Sequence, residues 1–227
     1  MKRSQEVSRE RLNDFIKKGK HNMKLKMRYF INCHKTLTPM VIIALMIRYQ
    51  NFKIGPVIYL ALHGNYCINW LLKESIFPDK SFEEELPPLW FILGFVGLNQ
   101  YWWTPWLLVR KQTDPTNATI FLAVTCNIIG TFLHFCSDAQ KYFMLKEKKR
   151  LITTDFFARS RNVNYLGEIL TYFGFAIMAE HAAPILILVA MSVFVYLPNM
   201  LKKDKSLSKY ESFERYKQQT NMLLPKF

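Results

Sequence analysis

Between Ser137 and Glu168 the chain contains SDAQKYFMLKEKKRLITTDFFARSRNVNYLGE, a long polar segment bounded by apolar stretches. The segment is rich in lysine and arginine, and it ends in R-N-x-N-Y-x-G-E where the chain becomes apolar again. Apolar stretches long enough for helices flank it at 116–136 and 166–180. This alternation is typical of a helical membrane protein, in which such a segment lies at one membrane surface.

Six apolar stretches predict an all-α fold, a polytopic membrane helix bundle with about six transmembrane spans; five or seven spans remain open. We expect a single membrane domain over 36–227, preceded by a basic N-terminal arm over 1–35 and ending in a tail over 202–227. Six spans would place the arm, the polar segment and the tail on one side, as the positive-inside rule expects. The expected spans lie near 37–49, 55–72, 88–109, 116–136, 166–180 and 184–201.

The chain has 227 residues, half of them apolar, and a net charge of +14. Because the basic residues lie between apolar stretches, we expect a lipid bilayer and an anionic ligand as partners, and no nucleic acid. The four cysteines show no C-x-x-C spacing, so no metal site is expected. The arm can lie on an anionic membrane surface or be a solvated tail. The endoplasmic reticulum membrane is the expected location, with the mitochondrial inner membrane as the alternative.

The last eight residues of the polar segment combine side chains that suit a nucleotide. The guanidinium of Arg161 has the planar geometry that binds phosphate, and asparagine can bond a nucleotide amide or sugar. Tyr165 can stack on a ring, and Gly167 allows close backbone approach. Glu168 opens an apolar helix, where a carboxylate is costly unless it bonds something specific. By contrast, the lysine run 146–150 has the composition of an ordinary solvated loop.

The tail repeats the basic and aromatic pattern of the polar segment. Ser208 and Glu211 have the spacing of a capping box, which predicts a short helix that begins at Ser208. Tyr210 and Phe213 then share one face of that helix. We expect the tail to fold back under the bundle and to close over a ligand that the polar segment holds.

Three motifs resemble the steroid 5-alpha-reductase-like superfamily: S-D-x-Q-K, L-I-x-x-x-F-F-x-x-x-R-N-x-N-Y-L-G-E and K-D-K-S-L-S-x-Y. The resemblance extends roughly from Tyr59 to Pro225 and is greatest to a small branch of integral-membrane proteins. The wider superfamily includes sterol reductases and the isoprenylcysteine and phospholipid methyltransferases. The resemblance implies that the C-terminal half of the chain cradles a nucleotide cofactor, with a cofactor segment at 138–168. That cofactor is NADPH in the reductases and S-adenosylmethionine in the methyltransferases.

The chain departs from the superfamily pattern at several positions. Asn162 and Val163 replace the His-Pro of the wider motif, and Asp155 stands where the family usually has glycine, the residue that best tolerates positive φ. Where the methyltransferases carry a pair of glutamates, this chain has K-K-D at 202–204. A cationic patch suits the phosphates of NADPH better than zwitterionic S-adenosylmethionine.

The resemblance therefore implies an NADPH-dependent reductase of a carbon–carbon double bond in a lipid-soluble, steroid-like or isoprenoid enone. One alternative is a non-catalytic membrane subunit of a larger complex, and another is an S-adenosylmethionine-dependent membrane methyltransferase. The proton donor stays open among Tyr66, Tyr172 and Glu180. The candidate cofactor-binding residues are Asp138, Lys141, Arg159, Arg161, Asn162, Asn164, Tyr165, Gly167, Glu168, Lys203, Lys205 and Tyr210.

Overall fold

The structure is a computed structural model that describes residues 25–227. Most of the basic N-terminal arm, residues 1–24, lies outside the described residues. A short strand, β1 (Leu25–Lys26), leads into helix α1 (Met27–Tyr49). Helix α1 thus begins ten residues before the first expected span, and it packs against α2 (Ile54–Ile76) after a four-residue connection.

The next part of the chain is a broken helical pass. Strand β2 (Glu85–Leu86) pairs antiparallel with β1 and precedes helix α3 (Pro88–Asn99). A 3-10 turn at Gln100–Trp102 separates α3 from α4 (Trp103–Lys111). The helix α5 (Asn117–Glu147) follows, and the Thr116 hydroxyl caps it by accepting a hydrogen bond from the Thr119 N–H.

The polar segment 137–168 begins inside α5, contains a 3-10 turn at Asp155–Phe157 and ends inside helix α6 (Val163–Ile177). A long pass then consists of α7 (Ala182–Met191), a π-helical turn (Ser192–Tyr196) and α8 (Leu197–Leu207). The last helix is α9 (Phe213–Gln219). The prediction that this helix begins at Ser208 is therefore wrong by five residues. The Ser208 hydroxyl donates to the Lys205 carbonyl at the end of α8 instead of capping a new helix.

Within residues 25–227, three helical stretches are long and apolar enough to cross a membrane by length and composition: Met27–Tyr49, Asn117–Glu147 and Ala182–Leu207. Large apolar side chains on them are exposed, as Phe121 and Phe194 show at 72% and 77%. Such a surface is typical of helices that face lipid. The chain is thus consistent with a helical membrane protein. The other expected spans fall on α2, on the broken pair α3 and α4, and on α6, which has only 15 residues.

Helices α5 and α6 form the most extensive helix pair in the described chain. Their contact is close because three glycines lie in the seam. A Cβ on Gly167 would lie 2.4 Å from the His134 nitrogen, and one on Gly130 would lie 2.5 Å from the Thr171 nitrogen. On Gly174 it would lie 2.7 Å from the Ala123 oxygen. Small residues at a contact between two helices let their backbones approach closely, as in membrane bundles.

The loops meet at two ends of the bundle. We define the basic end as loop 77–87, segment 148–162 and the part of the tail after α8, residues 208–227. There Lys141 pairs with Asp79 at 3.2 Å, and Arg161 pairs with Asp204 at 2.9 Å. At the opposite end, Lys111 pairs with Glu180 at 2.8 Å. The polar segment and the tail therefore lie together, and the tail folds back as expected.

Asp155 adopts a positive φ of 56°, the backbone region that favours glycine. Its carboxylate accepts hydrogen bonds from Gln140 and Thr154, which hold the aspartate in this turn. We expect Asp155→Gly to keep the folding stability within about 1 kcal/mol, whereas Asp155→Val should lower it by about 1–2 kcal/mol or more. Thermal unfolding of the two variants in the same detergent checks this order. Equal stability of the two variants would contradict it.

Candidate functional site

A cavity of about 590 Å³ opens at the basic end. Its walls come from the end of α2, from loop 77–87, from the last turns of α5 and from the start of the tail. Cavities of about 300–1,000 Å³ are the usual size for small-molecule sites. The lining residues are Lys73, Phe77, Pro78, Asp79, Lys80, Asp138, Lys141, Tyr142, Leu145, Lys146, Lys149, Lys209 and Tyr210.

A smaller cavity of about 130 Å³ adjoins the first and shares Lys141, Leu145, Lys209 and Tyr210 with it. We call the two together the cationic cavity. The other residues that line the smaller part are Arg150, Leu151, Ile152, Phe157, Arg161, Lys203, Ser206, Leu207 and Tyr216.

Asp138 is the acidic centre of the cationic cavity. Its carboxylate is 5% exposed and lies 3.5 Å from the ammonium groups of Lys73 and Lys141 and from His134 Nε2. A buried carboxylate needs such partners, because an isolated charge away from water is costly. Asp138 and Lys141, both candidate cofactor-binding residues, thus form an ion pair, and Lys73 is a further partner that was not among the candidates.

Asp79 closes this charge network from loop 77–87. Burial by itself would raise the pKa of the Asp79 carboxyl, but Lys141 and the N–H and hydroxyl of Ser81 outweigh it and hold the pKa below its ordinary value. Asp79 is therefore ionised at neutral pH. It neutralises Lys141, which lies at the point where the two parts of the cavity meet.

The remaining lysines of the larger cavity carry uncompensated charge. Within residues 25–227, no carboxylate lies within ion-pair distance of Lys80, Lys146, Lys149 or Lys209. Two of them lie over tyrosine rings instead, with Lys146 at 5.8 Å from the Tyr142 centroid and Lys209 at 5.4 Å from that of Tyr210. Four such ammonium groups around one cavity favour a ligand with several negative charges.

The twelve candidate residues are divided by the structure into two groups. Five line the cationic cavity: Asp138, Lys141, Arg161, Lys203 and Tyr210. The other seven line neither part of it: Arg159, Asn162, Asn164, Tyr165, Gly167, Glu168 and Lys205. The part of all twelve residues in cofactor binding stays a prediction.

Arg161 is engaged by the tail. Its guanidinium donates to both carboxylate oxygens of Asp204, at 2.9–3.1 Å, and to the Thr220 carbonyl at 2.8 Å. Its own carbonyl accepts a hydrogen bond from Lys203 at 2.7 Å. Arg161 is 6% exposed, so this clasp fixes the tail against the polar segment and leaves little of the guanidinium for a ligand.

The two asparagines of the motif keep unused hydrogen-bonding atoms. Asn162 donates through Nδ2 to the Met222 carbonyl at 2.9 Å, while its Oδ1 is buried without a partner. The Oδ1 of Asn164 is also buried without a hydrogen-bond partner. Buried polar atoms without partners are uncommon in folded proteins, and they mark positions where a ligand or water completes the bonding.

A buried cluster that the sequence did not indicate lies next to the cationic cavity. Lys35, in α1, is 2% exposed and donates a 2.6 Å hydrogen bond to the Tyr172 hydroxyl. Tyr66 lies beside it, and Glu168 of α6 is close enough to interact electrostatically with all three. In the sequence Lys35 is the last residue of the basic arm, two residues before the first expected span, and nothing in the local pattern indicated that it is buried.

Glu180, one of the three proton-donor candidates, lies at the opposite end of the bundle. The Lys111 ammonium, the Thr116 N–H and the Thr119 hydroxyl donate to its carboxylate and lower the pKa of Glu180 to about 2. It is therefore deprotonated at neutral pH and distant from the cavity, so only Tyr66 and Tyr172 remain as candidates.

A comparison with family models gives a match over residues 98–220, more than half of the chain, to the family described as "Protein of unknown function (DUF1295)". The matched region runs from the end of α3 to the end of α9 and includes most of the cationic cavity. No curated protein matches the chain. The match shows that the chain belongs to the DUF1295 family.

Proposed function

We propose that the chain is an integral-membrane reductase that binds NADPH in the cationic cavity and reduces a carbon–carbon double bond of a lipid-soluble, steroid-like or isoprenoid enone. The observation that carries this proposal is a group of four lysines around a cavity of about 590 Å³ that have no carboxylate partner among residues 25–227. The resemblance of the motifs to the steroid 5-alpha-reductase-like superfamily supports the reaction type. We place the enzyme in the endoplasmic reticulum membrane, and imaging of a tagged chain tests this.

The side chains of the cavity fit NADPH. Lysine binds phosphate as a point charge, so Lys80, Lys146, Lys149 and Lys209 can neutralise its phosphates. The rings of Tyr142 and Tyr210 offer flat faces for a base. Bound NADPH supplies hydride, while the protein orients it and excludes water.

Loss of cavity lysines should weaken NADPH binding. We expect Lys146→Gln/Lys149→Gln to raise the NADPH dissociation constant by about 10-fold or more, because a hydrogen bond to a charged group contributes about 1.5–3 kcal/mol. Lys148→Gln is the matched control, since this exposed lysine lies between the two but lines neither part of the cavity. The measurement is equilibrium dialysis of the full chain in mild detergent micelles.

The same measurement separates the cofactors. NADH, which lacks one phosphate, should bind more weakly than NADPH and respond less to ionic strength. S-adenosylmethionine carries a sulfonium, which the uncompensated lysines repel, and it should not compete. A wild-type chain that neither binds NADPH nor oxidises it with lipid-soluble enones would contradict the proposal. Competition by S-adenosylmethionine would favour the methyltransferase instead.

A second candidate is a non-catalytic membrane subunit that derives from such an enzyme. The observation that favours it is that Arg161 and Asn162, two residues of the motif, are bonded to the tail. Native electrophoresis of the chain extracted in mild detergent tests it. Migration within a larger assembly, together with absence of NADPH binding, would favour the subunit, and migration as a monomer that binds NADPH would exclude it.

A further inference from the structure

Lys35 is a buried charge that the cationic cavity does not use. It lies eight residues into α1, about 12 Å along the helix from the basic end. Its ammonium has one hydrogen bond, to Tyr172, and no carboxylate within ion-pair distance in the described part of the chain. Three aromatic rings surround it, with centroids at 4.6 Å for Tyr66, 5.1 Å for Trp70 and 5.2 Å for Tyr172.

Trp70 connects Lys35 to the cationic cavity. Its ring centroid lies 5.1 Å from the ammonium of Lys35 and also 5.1 Å from that of Lys73, which lines the cavity. One indole ring therefore separates the buried lysine from the cavity wall. A ligand that fills the cavity and displaces this ring reaches the Lys35–Tyr172 pair.

A polar route reaches the same pair from the acidic centre of the cavity. Asp138 lies 3.5 Å from His134, and the His134 ring is 6.4 Å from that of Tyr66. The Tyr66 hydroxyl is buried without a hydrogen-bond partner, and so is His134 Nδ1. These titratable side chains lie between the cavity and Lys35, and a proton passes along them only when bridging water completes the missing hydrogen bonds.

Burial of this lysine disfavours the folded state. An ammonium inside an apolar helix bundle is costly, and a hydrophobic residue of similar volume would be as stable or more stable in its place. A charge that is retained against stability marks a position where the charge has a function.

We propose that Lys35 and Tyr172 are the acid pair of this protein, an inference that rests on the reductase function proposed above. Hydride addition to one carbon of the enone double bond breaks that π bond and gives the substrate an enolate. The Tyr172 O–H breaks and its proton forms the C–H bond at the other carbon. The Lys35 ammonium stabilises the tyrosinate and returns a proton to it, and a proton from solvent then reloads the Lys35 amine.

The test compares Lys35→Met and Tyr172→Phe with the wild-type full chain in mild detergent micelles. We expect both to keep the wild-type NADPH dissociation constant and to lose turnover of NADPH with lipid-soluble enones by about 10²–10⁴-fold, the usual contribution of a general acid. Lys35→Met should also melt at the wild-type temperature or a few degrees above it. Lys53→Met is the control, because Lys53 bonds the Gln112 carbonyl at the opposite end, and it should keep turnover.

Two results would overturn the inference, and they differ from each other. If Lys35→Met melts several degrees below wild type and turnover falls only with the folded fraction, Lys35 is a structural residue, and the reductase proposal survives. If the wild-type chain does not bind NADPH or oxidise it with any enone, the reductase proposal fails and the acid pair fails with it.

Discussion

Arg161→Ala is expected to lower the free energy of unfolding by about 3–5 kcal/mol, the usual cost of removing one partner of a buried ion pair. The substitution leaves Asp204 without its cation and removes the hydrogen bond to the Thr220 carbonyl. The tail should then detach from the polar segment while the helices remain. Chemical unfolding in mixed micelles measures the stability, and limited proteolysis should cut the tail around Thr220 faster than in wild type.

Arg159→Ala is the matched control for this prediction. Arg159 lies two residues away and is exposed, and its guanidinium is 5.6 Å from the ring of Phe227. This variant should stay within about 0.5 kcal/mol of wild type. The double variant Arg161→Ala/Asp204→Ala should lose less than the sum of its single variants, because the two side chains form one network. An Arg161→Ala chain of wild-type stability that no longer binds NADPH would mean that Arg161 contacts the cofactor directly.

Gly167→Ala is expected to destabilise the bundle by about 1–3 kcal/mol, the usual cost of overpacking. The new methyl group would lie 2.4 Å from the His134 nitrogen and 2.6 Å from the Gly130 oxygen, which are backbone atoms that cannot rotate away. Helices α5 and α6 would have to separate, and His134 and Asp138 would move with α5. The variant should therefore lose NADPH affinity as well as stability, which the same dialysis and unfolding measurements record.

Gly97→Ala is a control for which we expect the opposite change in folding stability. A Cβ on Gly97 would have no neighbouring atom within 4 Å, so the substitution meets no steric obstacle. Alanine in a helix is favoured over glycine by about 0.5–1 kcal/mol, and we expect this variant to be as stable as wild type or more stable. Gly130→Ala should behave like Gly167→Ala, since the two glycines contact each other's helix. Equal effects at Gly97 and Gly167 would contradict a close helix seam.

The motif from Arg161 to Glu168 was singled out by its composition, but the partners of its residues could not be inferred from it. Close backbone approach at Gly167 was expected towards a cofactor, and the structure shows it towards α5. The guanidinium of Arg161 was expected on phosphate, and in the structure it holds the carboxylate of Asp204. In both cases the chemical preference of the residue is satisfied, because a planar cation binds carboxylate as well as phosphate.

The sequence by itself determined the helical membrane class, the position of the polar segment and the return of the tail towards it. These features follow from local hydropathy and charge, which each stretch of chain carries without its neighbours. The S-D-x-Q-K motif of the family resemblance also pointed to Asp138 and Lys141.

Only the tertiary structure decided what surrounds those charges. Asp79, Lys141 and Lys209 reach the cationic cavity from three separate parts of the chain, and no local pattern relates them. Lys35 shows the physical reason most clearly. A lysine near the start of an apolar helix can extend to the membrane surface or turn into the bundle, and the local sequence is the same in both cases. Packing against Tyr66, Trp70 and Tyr172 places its charge inside.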